Sequence, residues 1–243
     1  MNTLRGSFFD TKRGRVAYDR MKASKEYKDF VALTRSLKRM DLNALKSRDE
    51  QVVFWINLYN VIVIHGVVEL GIRESVKEVR NFFKRIEYQV GELLFSPDDM
   101  EHGILRGNAL PPYSLFRVFK GKDKRLELVI KPPDPRIHFA LACAAASCPP
   151  IGFYTAENLE GELTLAAETF LNFGGIKIDR RRNLVSLSRI FKWYGEDFGG
   201  DKADILKFIG AYVHKKEDRN YLEEYSKSIK VRFQDYDWRL NRY

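Results

Sequence analysis

The sequence predicts an α+β fold, in which a helical N-terminal part packs on a small and mostly antiparallel sheet. Two observations predict it: apolar residues recur at helical spacing early in the chain, and short alternating segments flank turn residues farther on. Of the 243 residues, 44% are hydrophobic, which is enough for a substantial core. Because no repeat, low-complexity tract or Gly/Ser-rich linker interrupts the chain, a single domain is the simplest organisation.

Helix signals are clearest between residues 24 and 71. After Ser24, apolar side chains recur at helical spacing as far as Met40. Ser47 and Glu50 are placed as a capping box, in which the hydroxyl accepts the N3 amide and the carboxylate accepts the N-cap amide. This pattern predicts a helix that runs to about residue 70 and ends at Gly71.

Asn57 and Asn60 lie three residues apart on one face of this very apolar helix. If that face is buried, each amide needs partners, because an unpaired buried polar group costs about 1–3 kcal/mol. Two roles remain open. Either the pair ties the helix to loop carbonyls, or Asn57 orients a histidine or donates to a developing oxyanion.

A hairpin is predicted from Ile86–Val90 and Leu93–Ser96, with two residues at its turn. Ser96 then caps a short helix that Gly107 ends. Glu101 on this helix is expected to face inward, and a carboxylate in an apolar face becomes a candidate proton carrier. The alternative is a contact between Glu101 and Arg106, or with backbone, that only fixes the turn.

Later elements are predicted from alternation and cap residues. They are a strand through Leu126, Leu128 and Ile130, a helix capped by Thr155, a hairpin of Ile176–Ile178 and Leu184–Leu187, helices after Ser188 and Asp201, and a strand within Ile229–Trp238.

Residues 134–150 contain both cysteines and one of the four histidines within the most apolar run of the chain. Alternation favours a strand through Ile137 and Cys143, whereas Asp134-Pro135 resembles the start of a helix. In such a strand Cys143 faces the apolar side and is expected to be inert. Both thiols are expected to be reduced, as is usual for a cytoplasmic protein.

A metal site in this run is disfavoured by distance. His138 and Cys143 would stand roughly 16 Å apart in a strand. In a helix, roughly 7 Å of rise would separate them and they would point different ways. The spacing to Cys148 also differs from common zinc motifs, so no metal and no other cofactor is assigned.

Cys148 is the candidate nucleophile, because it ends the apolar run in a turn before Pro149-Pro150, where its sulfur can be reached. His138 can serve as its base if the small residues 144–147 turn the chain back. Otherwise a distant histidine, His102 or His65, must serve.

A third group is expected to fix the tautomer of the base, as in other nucleophile and base arrangements. Asn57 and Glu101 are the candidates for this orienting role, and His102 is the alternative base.

Five segments of the chain are similar, in the same order, to the signature of one protein family: Phe54–Asn60, Glu101–Arg106, Ile137–Leu141 with Ser147–Pro150, Ile190–Tyr194 and Tyr236–Trp238. By these segments the chain resembles the Domain of Unknown Function 547 family. The resemblance makes residues 47–243 the family core and residues 1–46 a helical extension. It implies no particular reaction, although the DEP-like and glutaredoxin-like domains joined to some relatives hint at signalling or thiol chemistry. The last motif departs from the family pattern, with Arg239 in place of serine.

The formal net charge of +9 fits an anionic partner, but the basic residues are scattered among 33 acids. The densest clusters are Lys120–Arg125, Arg180–Arg182 and Lys215–Lys216. They are interpreted as solvated loops or as a patch that binds anions. The charged start of the chain is unlike a secretory signal, and the apolar run Val61–Ile64 is shorter than a membrane span, so a cytoplasmic protein is expected.

Three functions follow as hypotheses. The first is a thiol-dependent hydrolase or acyl transferase that acts on a small-molecule or peptide substrate through Cys148 and His138. The second is a non-catalytic adaptor or scaffold that binds a protein or an anionic surface through its basic loops. The third is a redox module in which Cys143 and Cys148 form a thiol pair.

Overall fold

The α+β prediction is confirmed: the computed structural model is 51% helical and 10% strand. It describes residues 2–10 and 13–243. The prediction that was drawn from the charged start of the chain rests in part on residues 1, 11 and 12, which lie outside the described residues. The chain divides into two compact units, each built from separate stretches of sequence. The first comprises residues 1–133, 140–159 and 237–243, and the second comprises residues 134–139 and 160–236. That the chain forms a single domain stays a prediction.

The first unit contains five α-helices and two hairpins within its described residues. The helices are α1 Asn2–Phe8, α2 Tyr18–Lys22, α3 Lys25–Thr34, α4 Arg48–Glu69 and α5 Phe82–Arg85. The strands are β1 Phe9–Asp10 paired with β2 Arg15–Val16, and β3 Tyr88–Val90 paired with β4 Leu93–Phe95, both antiparallel. Shorter turns of 3₁₀-helix cover Arg35–Arg39, Leu42–Ala44, Val76–Glu78, Lys124–Leu128 and Ala156–Asn158, and a π-helix covers Asp99–Leu105.

Helix α4 is the core of this unit and begins as the sequence predicts. The Ser47 hydroxyl accepts the amide of Glu50, whose carboxylate accepts the amide of Ser47, and the helix ends before Gly71 at φ +62°. Large side chains on α4, such as Trp55 and Ile56, are fully buried. Burial of each such side chain contributes about 1.5–3 kcal/mol to the free energy of unfolding.

By length and composition, α4 could cross a membrane, which the four-residue apolar run Val61–Ile64 did not indicate. However, 72% of its most apolar window is buried inside the protein, as in the core helix of a soluble protein. The helix is therefore weak evidence for a membrane span.

The second unit packs four helices against one three-stranded sheet. Helix α6 is Leu159–Phe170, of which residues 160–170 belong to this unit, followed by α7 Ile190–Trp193, α8 Lys202–Tyr212 and α9 Lys216–Glu224. Strands β5 Ile176–Asp179 and β6 Leu184–Leu187 are antiparallel, and β7 Lys230–Phe233 is parallel to β6. A 3₁₀-helix at Pro135–Phe139, a π-helix at Leu171–Gly175 and a 3₁₀-helix at Gly195–Phe198 complete it. Its core is aromatic, with Phe139, Phe191 and Phe198 all buried.

Two predicted strands are wrong. Residues 124–128 form a 3₁₀-helix, which Asp123 caps by accepting the amide of Arg125. The predicted strand through Ile137 and Cys143 is instead the 3₁₀-helix Pro135–Phe139 followed by irregular backbone. The alternative prediction, that Asp134-Pro135 starts a helix, is the correct one for this segment, because a helical turn begins there.

Candidate functional site

The cysteine-containing loop, residues 140–154, is tied to helix α4 by a buried amide. Asn60 donates to the carbonyl oxygens of Ala140 at 2.9 Å and Gly152 at 3.3 Å, and its Oδ1 accepts the amide of Ala142 at 2.8 Å. Since Asn60 is fully buried, its removal would leave these backbone groups without partners in a water-free site.

Asn57 makes the same kind of contact one helical turn earlier. Its Nδ2 donates to the Tyr154 carbonyl at 2.8 Å and its Oδ1 accepts the Tyr154 amide at 3.0 Å. The interpretation of the two asparagines as ties from the helix to loop backbone is confirmed. The amide of Asn57 holds backbone here, and its orienting role toward a histidine stays a prediction.

The other side of the loop is held by residues 237–243, which belong to the same unit. The Ser147 amide donates to the Asp237 carbonyl at 3.2 Å, and the Asp237 amide donates to Ser147 Oγ at 2.9 Å. The Ala146 amide donates to the Arg239 carbonyl at 2.7 Å. Between these bonds Ala144 adopts φ +63°, a conformation that non-glycine residues rarely adopt, so the loop is held in a sharp turn.

Cys143 and Cys148 form a disulfide, so the prediction of reduced thiols is wrong for this structure. The turn at Ala144 brings the two Cα atoms to 6.1 Å, within the range that a disulfide spans. Cys143 does not lie in an apolar strand, and both cysteines are partly exposed. The Cys143 amide also donates to Cys148 Sγ at 2.7 Å.

His138 is buried in the second unit and is held by groups of that unit. Its Nε2 lies 2.7 Å from Asp197 Oδ2, and its ring stacks on Tyr194 with centroids 4.0 Å apart. The side chain of His138 is 2% exposed and that of Asp197 is 9% exposed, so water screens this pair little. The pair has the geometry of a base with the carboxylate that orients it.

Asp197 was missed in the sequence, because it lies 59 residues from His138 within a short irregular turn. The only signal near it was the family segment Ile190–Tyr194, which contains the stacking partner Tyr194. Cys148 belongs to the first unit and His138 to the second, so their meeting stays a prediction.

Glu101 and His102 lie together in the π-helix, and both are buried. The Arg106 amide donates to the Glu101 carbonyl at 2.8 Å, which closes the turn through main-chain atoms, and the role of the Glu101 carboxylate stays a prediction. Arg106 Nη1 lies 3.0 Å from His102 Nδ1 and 3.1 Å from the Leu110 carbonyl oxygen. Glu101 Oε1 is 3.9 Å from His102 Nδ1. Short π-helical segments are frequent at functional sites, and this one brings ionisable side chains together inside the first unit.

Asp98 completes this cluster. Its Oδ1 is 4.0 Å from His102 Nε2, and its Oδ2 accepts the Tyr113 hydroxyl. Burial raises the pKa of Asp98 from its ordinary value of 3.8 to about 6, although the bond from Tyr113 and the charge of Lys84 oppose the shift. Burial also raises the pKa of Tyr113, with the charge of Asp98 as the second cause.

No group of three or more His, Cys, Asp or Glu residues within 2–10 and 13–243 is arranged to hold a metal ion. Of the three ligand candidates considered above, His138 contacts Asp197, and Cys143 and Cys148 form a disulfide.

Comparison with known proteins identifies a family and nothing finer. No curated protein and no solved structure matches the chain. The profile of a family described as "Protein of unknown function, DUF547" matches residues 42–171, more than half of the chain. That match contains the segments of α4, the π-helix and the cysteine loop, whereas Ile190–Tyr194 and Tyr236–Trp238 lie outside it. The chain therefore belongs to the DUF547 family of proteins of unknown function.

Proposed function

We propose that the protein is a thiol-dependent hydrolase or acyl transferase, with Cys148 as nucleophile, His138 as base and Asp197 as the group that orients His138. The observation that carries the proposal is the buried 2.7 Å contact between His138 Nε2 and Asp197 Oδ2. A carboxylate in this position fixes the tautomer of an imidazole and stabilises the imidazolium that forms when it takes a proton.

The environment of Cys148 supports the same role. Cys148 is partly exposed as a residue, and the Cys143 amide donates to its sulfur at 2.7 Å. A hydrogen bond to a thiolate favours the ionised form, which is the nucleophile. The bonds from Asn60 and Asp237 hold the surrounding loop on two sides, so the sulfur is kept in one position.

The reaction requires prior reduction of the disulfide by an external thiol, such as glutathione, which is oxidised in the exchange. The Cys148 thiolate then attacks the acyl carbonyl carbon, and the imidazolium of His138 gives its proton to the leaving group. The resulting thioester is cleaved by water or by an acceptor nucleophile, whose proton passes to His138. A cytoplasmic location, which we also propose, would supply the reductant.

Alkylation of Cys148 across pH tests the proposal. In a Cys143→Ser variant, Cys148 is the single thiol, and we expect iodoacetamide to label it at neutral pH. Replacement of His138 by alanine in the same background should move the labelling profile up toward the ordinary thiol pKa of about 8.5. A Cys143→Ser protein that reacts only above about pH 8.5 would contradict an activated nucleophile.

A second candidate is a thiol redox module, which the disulfide itself favours. A dithiol partner would attack one sulfur of the Cys143–Cys148 pair, form a mixed disulfide and be released as a disulfide, while both cysteines become thiols. Cys143→Ser separates the two candidates: it should abolish exchange with dithiothreitol, whereas acyl transfer from Cys148 should survive. Loss of both activities in Cys148→Ser alone would not distinguish them.

A third candidate is the binding of an anionic partner, and one cavity of the second unit supports it. The cavity measures about 1000 Å³ and brings Arg180 and Arg181 of one basic cluster beside Lys215 of another. Acids limit its charge, since Arg180 pairs with Asp218 at 2.5 Å. Binding of a fluorescent acidic peptide that weakens steeply with salt, and is lost in Arg181→Ala/Lys215→Ala, would support this candidate. Binding that weakens neither with added salt nor in the Arg181→Ala/Lys215→Ala variant would exclude this candidate.

A further inference from the structure

The first unit contains a cleft of about 360 Å³ that the proposed thiol chemistry does not use. Its walls include the aromatic rings of Phe83, Tyr113 and Trp238. Its volume lies within the range of small-molecule sites, which are mostly apolar with a few placed polar groups. The cleft therefore has the dimensions and the lining of a ligand site.

Three cations line the same cleft and come from one short stretch of chain. Lys77 Nζ lies 4.4 Å from the centre of the Trp238 ring, and Lys84 Nζ lies 5.0 Å from the centre of the Tyr113 ring. Arg80 lies between them in sequence, is exposed, and makes no hydrogen bond or ion pair with another described residue. A guanidinium in this state can form a bidentate pair with a carboxylate or phosphate.

One acid lines the cleft, and its charge is already engaged. Asp98 is 6% exposed, accepts the Tyr113 hydroxyl, and lies 3.9 Å from Lys84 Nζ. The lining thus carries three cations against one buried carboxylate, and the excess charge faces the opening through the exposed side chains of Lys77, Arg80 and Lys84. Such a site attracts anions and disfavours cations.

We infer that this cleft binds a small organic anion, with a planar apolar body between the rings of Phe83, Tyr113 and Trp238 and a carboxylate or phosphate group on Arg80 and Lys84. Stacking on the aromatic walls supplies contact area, and the guanidinium and ammonium groups supply the preference for negative charge. This site and the function proposed for Cys148 can each hold without the other.

A pair of fluorescent probes tests the charge preference. 1-Anilinonaphthalene-8-sulfonate is an aromatic anion with a planar naphthalene ring, and N-phenyl-1-naphthylamine is its neutral counterpart. We expect the anion to bind the full-length protein at least about tenfold more tightly, a difference of about 1.4 kcal/mol. Equal affinities would overturn the inference, because they would show a purely apolar site.

Matched variants then locate the site. Arg80→Met and Lys84→Met keep the apolar stems and remove the charges, and each should weaken binding of the anionic probe about fivefold while leaving the neutral probe unaffected. Lys84→Arg should retain binding. Lys207→Met removes an exposed cation of the second unit and is the control, which should bind as the unaltered protein does. If Arg80→Met and Lys84→Met also bind the anion unchanged, the inference is wrong.

Competition distinguishes the two anionic groups. Displacement of the probe by 1-naphthyl phosphate more strongly than by 1-naphthoate would assign a phosphate ligand, and the reverse order would assign a carboxylate. Failure of both to displace the probe would overturn the site.

Discussion

His138 and His102 are both buried histidines beside carboxylates, yet a hydrogen-bond partner of opposite kind gives each a different chemistry. His138 Nε2 faces the carboxylate oxygen of Asp197 at 2.7 Å, whereas His102 Nδ1 faces the guanidinium of Arg106 at 3.0 Å. An ionised carboxylate only accepts hydrogen bonds and a guanidinium only donates them. Therefore His138 donates from Nε2, and His102 accepts at Nδ1.

This difference in hydrogen-bond partners indicates which histidine can act as a base. With Asp197 on Nε2, the neutral tautomer of His138 carries its lone pair on Nδ1, which is the atom that would act as the base. At His102 the Nδ1 lone pair already accepts a hydrogen bond from Arg106. The alternative base His102 is thus disfavoured by its partner, and the proposal rests on His138.

The largest expected effect comes from Asp197→Asn, which keeps the shape of the side chain and removes its charge. We expect acylation of Cys148 by p-nitrophenyl acetate, in the Cys143→Ser background, to slow by about 10²–10⁴-fold, the usual contribution of a positioned acid or base. Single-turnover release of p-nitrophenol measures the rate.

The matched control for this prediction is His102→Gln, checked for folding by circular dichroism. It should acylate at the unaltered rate. Equal losses in Asp197→Asn and His102→Gln would remove the distinction between the two histidines.

Arg106→Met tests the other half of the comparison. Removing this buried charge would leave His102 Nδ1 and the Leu110 carbonyl without their donor, so we expect the free energy of unfolding to fall by about 3 kcal/mol. Urea denaturation measures the change. Arg182→Met, at an exposed arginine 3.7 Å from Asp179, should change it by no more than about 0.5 kcal/mol. A loss at Arg106 as small as that at Arg182 would mean that Arg106 does not fix His102.

Asp98→Asn gives a smaller and pH-dependent effect. Because burial raises the pKa of Asp98 to about 6, the folded protein binds this proton more tightly than the unfolded chain, whose ordinary pKa is 3.8. The carboxyl therefore lowers the free energy of unfolding as pH rises from about 4 to about 6, by about 1–3 kcal/mol. The asparagine variant lacks this loss, so its stability relative to the unaltered protein should increase over that window.

Urea denaturation of both proteins at several pH values measures the difference between their free energies of unfolding. The remaining carboxylates titrate in both proteins, so their contributions cancel in this difference. A relative stability of Asp98→Asn that falls as pH rises would contradict the raised pKa.

The smallest effect is spectroscopic. Nitrogen chemical shifts of the imidazole rings should show a protonated Nε2 on His138 and an unprotonated Nδ1 on His102, as their partners require. A protonated His102 Nδ1 at neutral pH would reverse the comparison.

Elements set by local signals were predictable from the sequence. The capping box of Ser47 and Glu50 defines the start of α4, and Ser24 and Asp201 each accept an amide at the start of α3 and α8. The two-residue turn after Val90 likewise predicted the hairpin of β3 and β4. In each case the residues that decide the structure lie within a few positions of one another.

The candidate site depends on distant residues, and its geometry was not predictable. The cysteine loop takes its shape from Asn60, about 80 residues earlier, and from Asp237, 90 residues after Ser147. These long-range hydrogen bonds leave no local pattern in the sequence, so the alternation of apolar residues was wrongly taken to predict a strand. A strand within Ile229–Trp238 was predicted, but its parallel pairing with β6 and the role of Asp197 were missed for the same reason.

The segment Asp237–Tyr243 also has a consequence for biosynthesis. Besides Ser147, it bonds to Glu74 through the Leu240 amide and to Tyr18 through Asn241 Oδ1. At about 5–20 residues per second, a ribosome needs roughly 5–18 s to add the 90 residues that separate Ser147 from Asp237. During that interval the nascent cysteine loop lacks the hydrogen bonds from Asp237–Tyr243 and has only those from α4. The two sulfurs therefore reach their final positions only after this last segment has been synthesised.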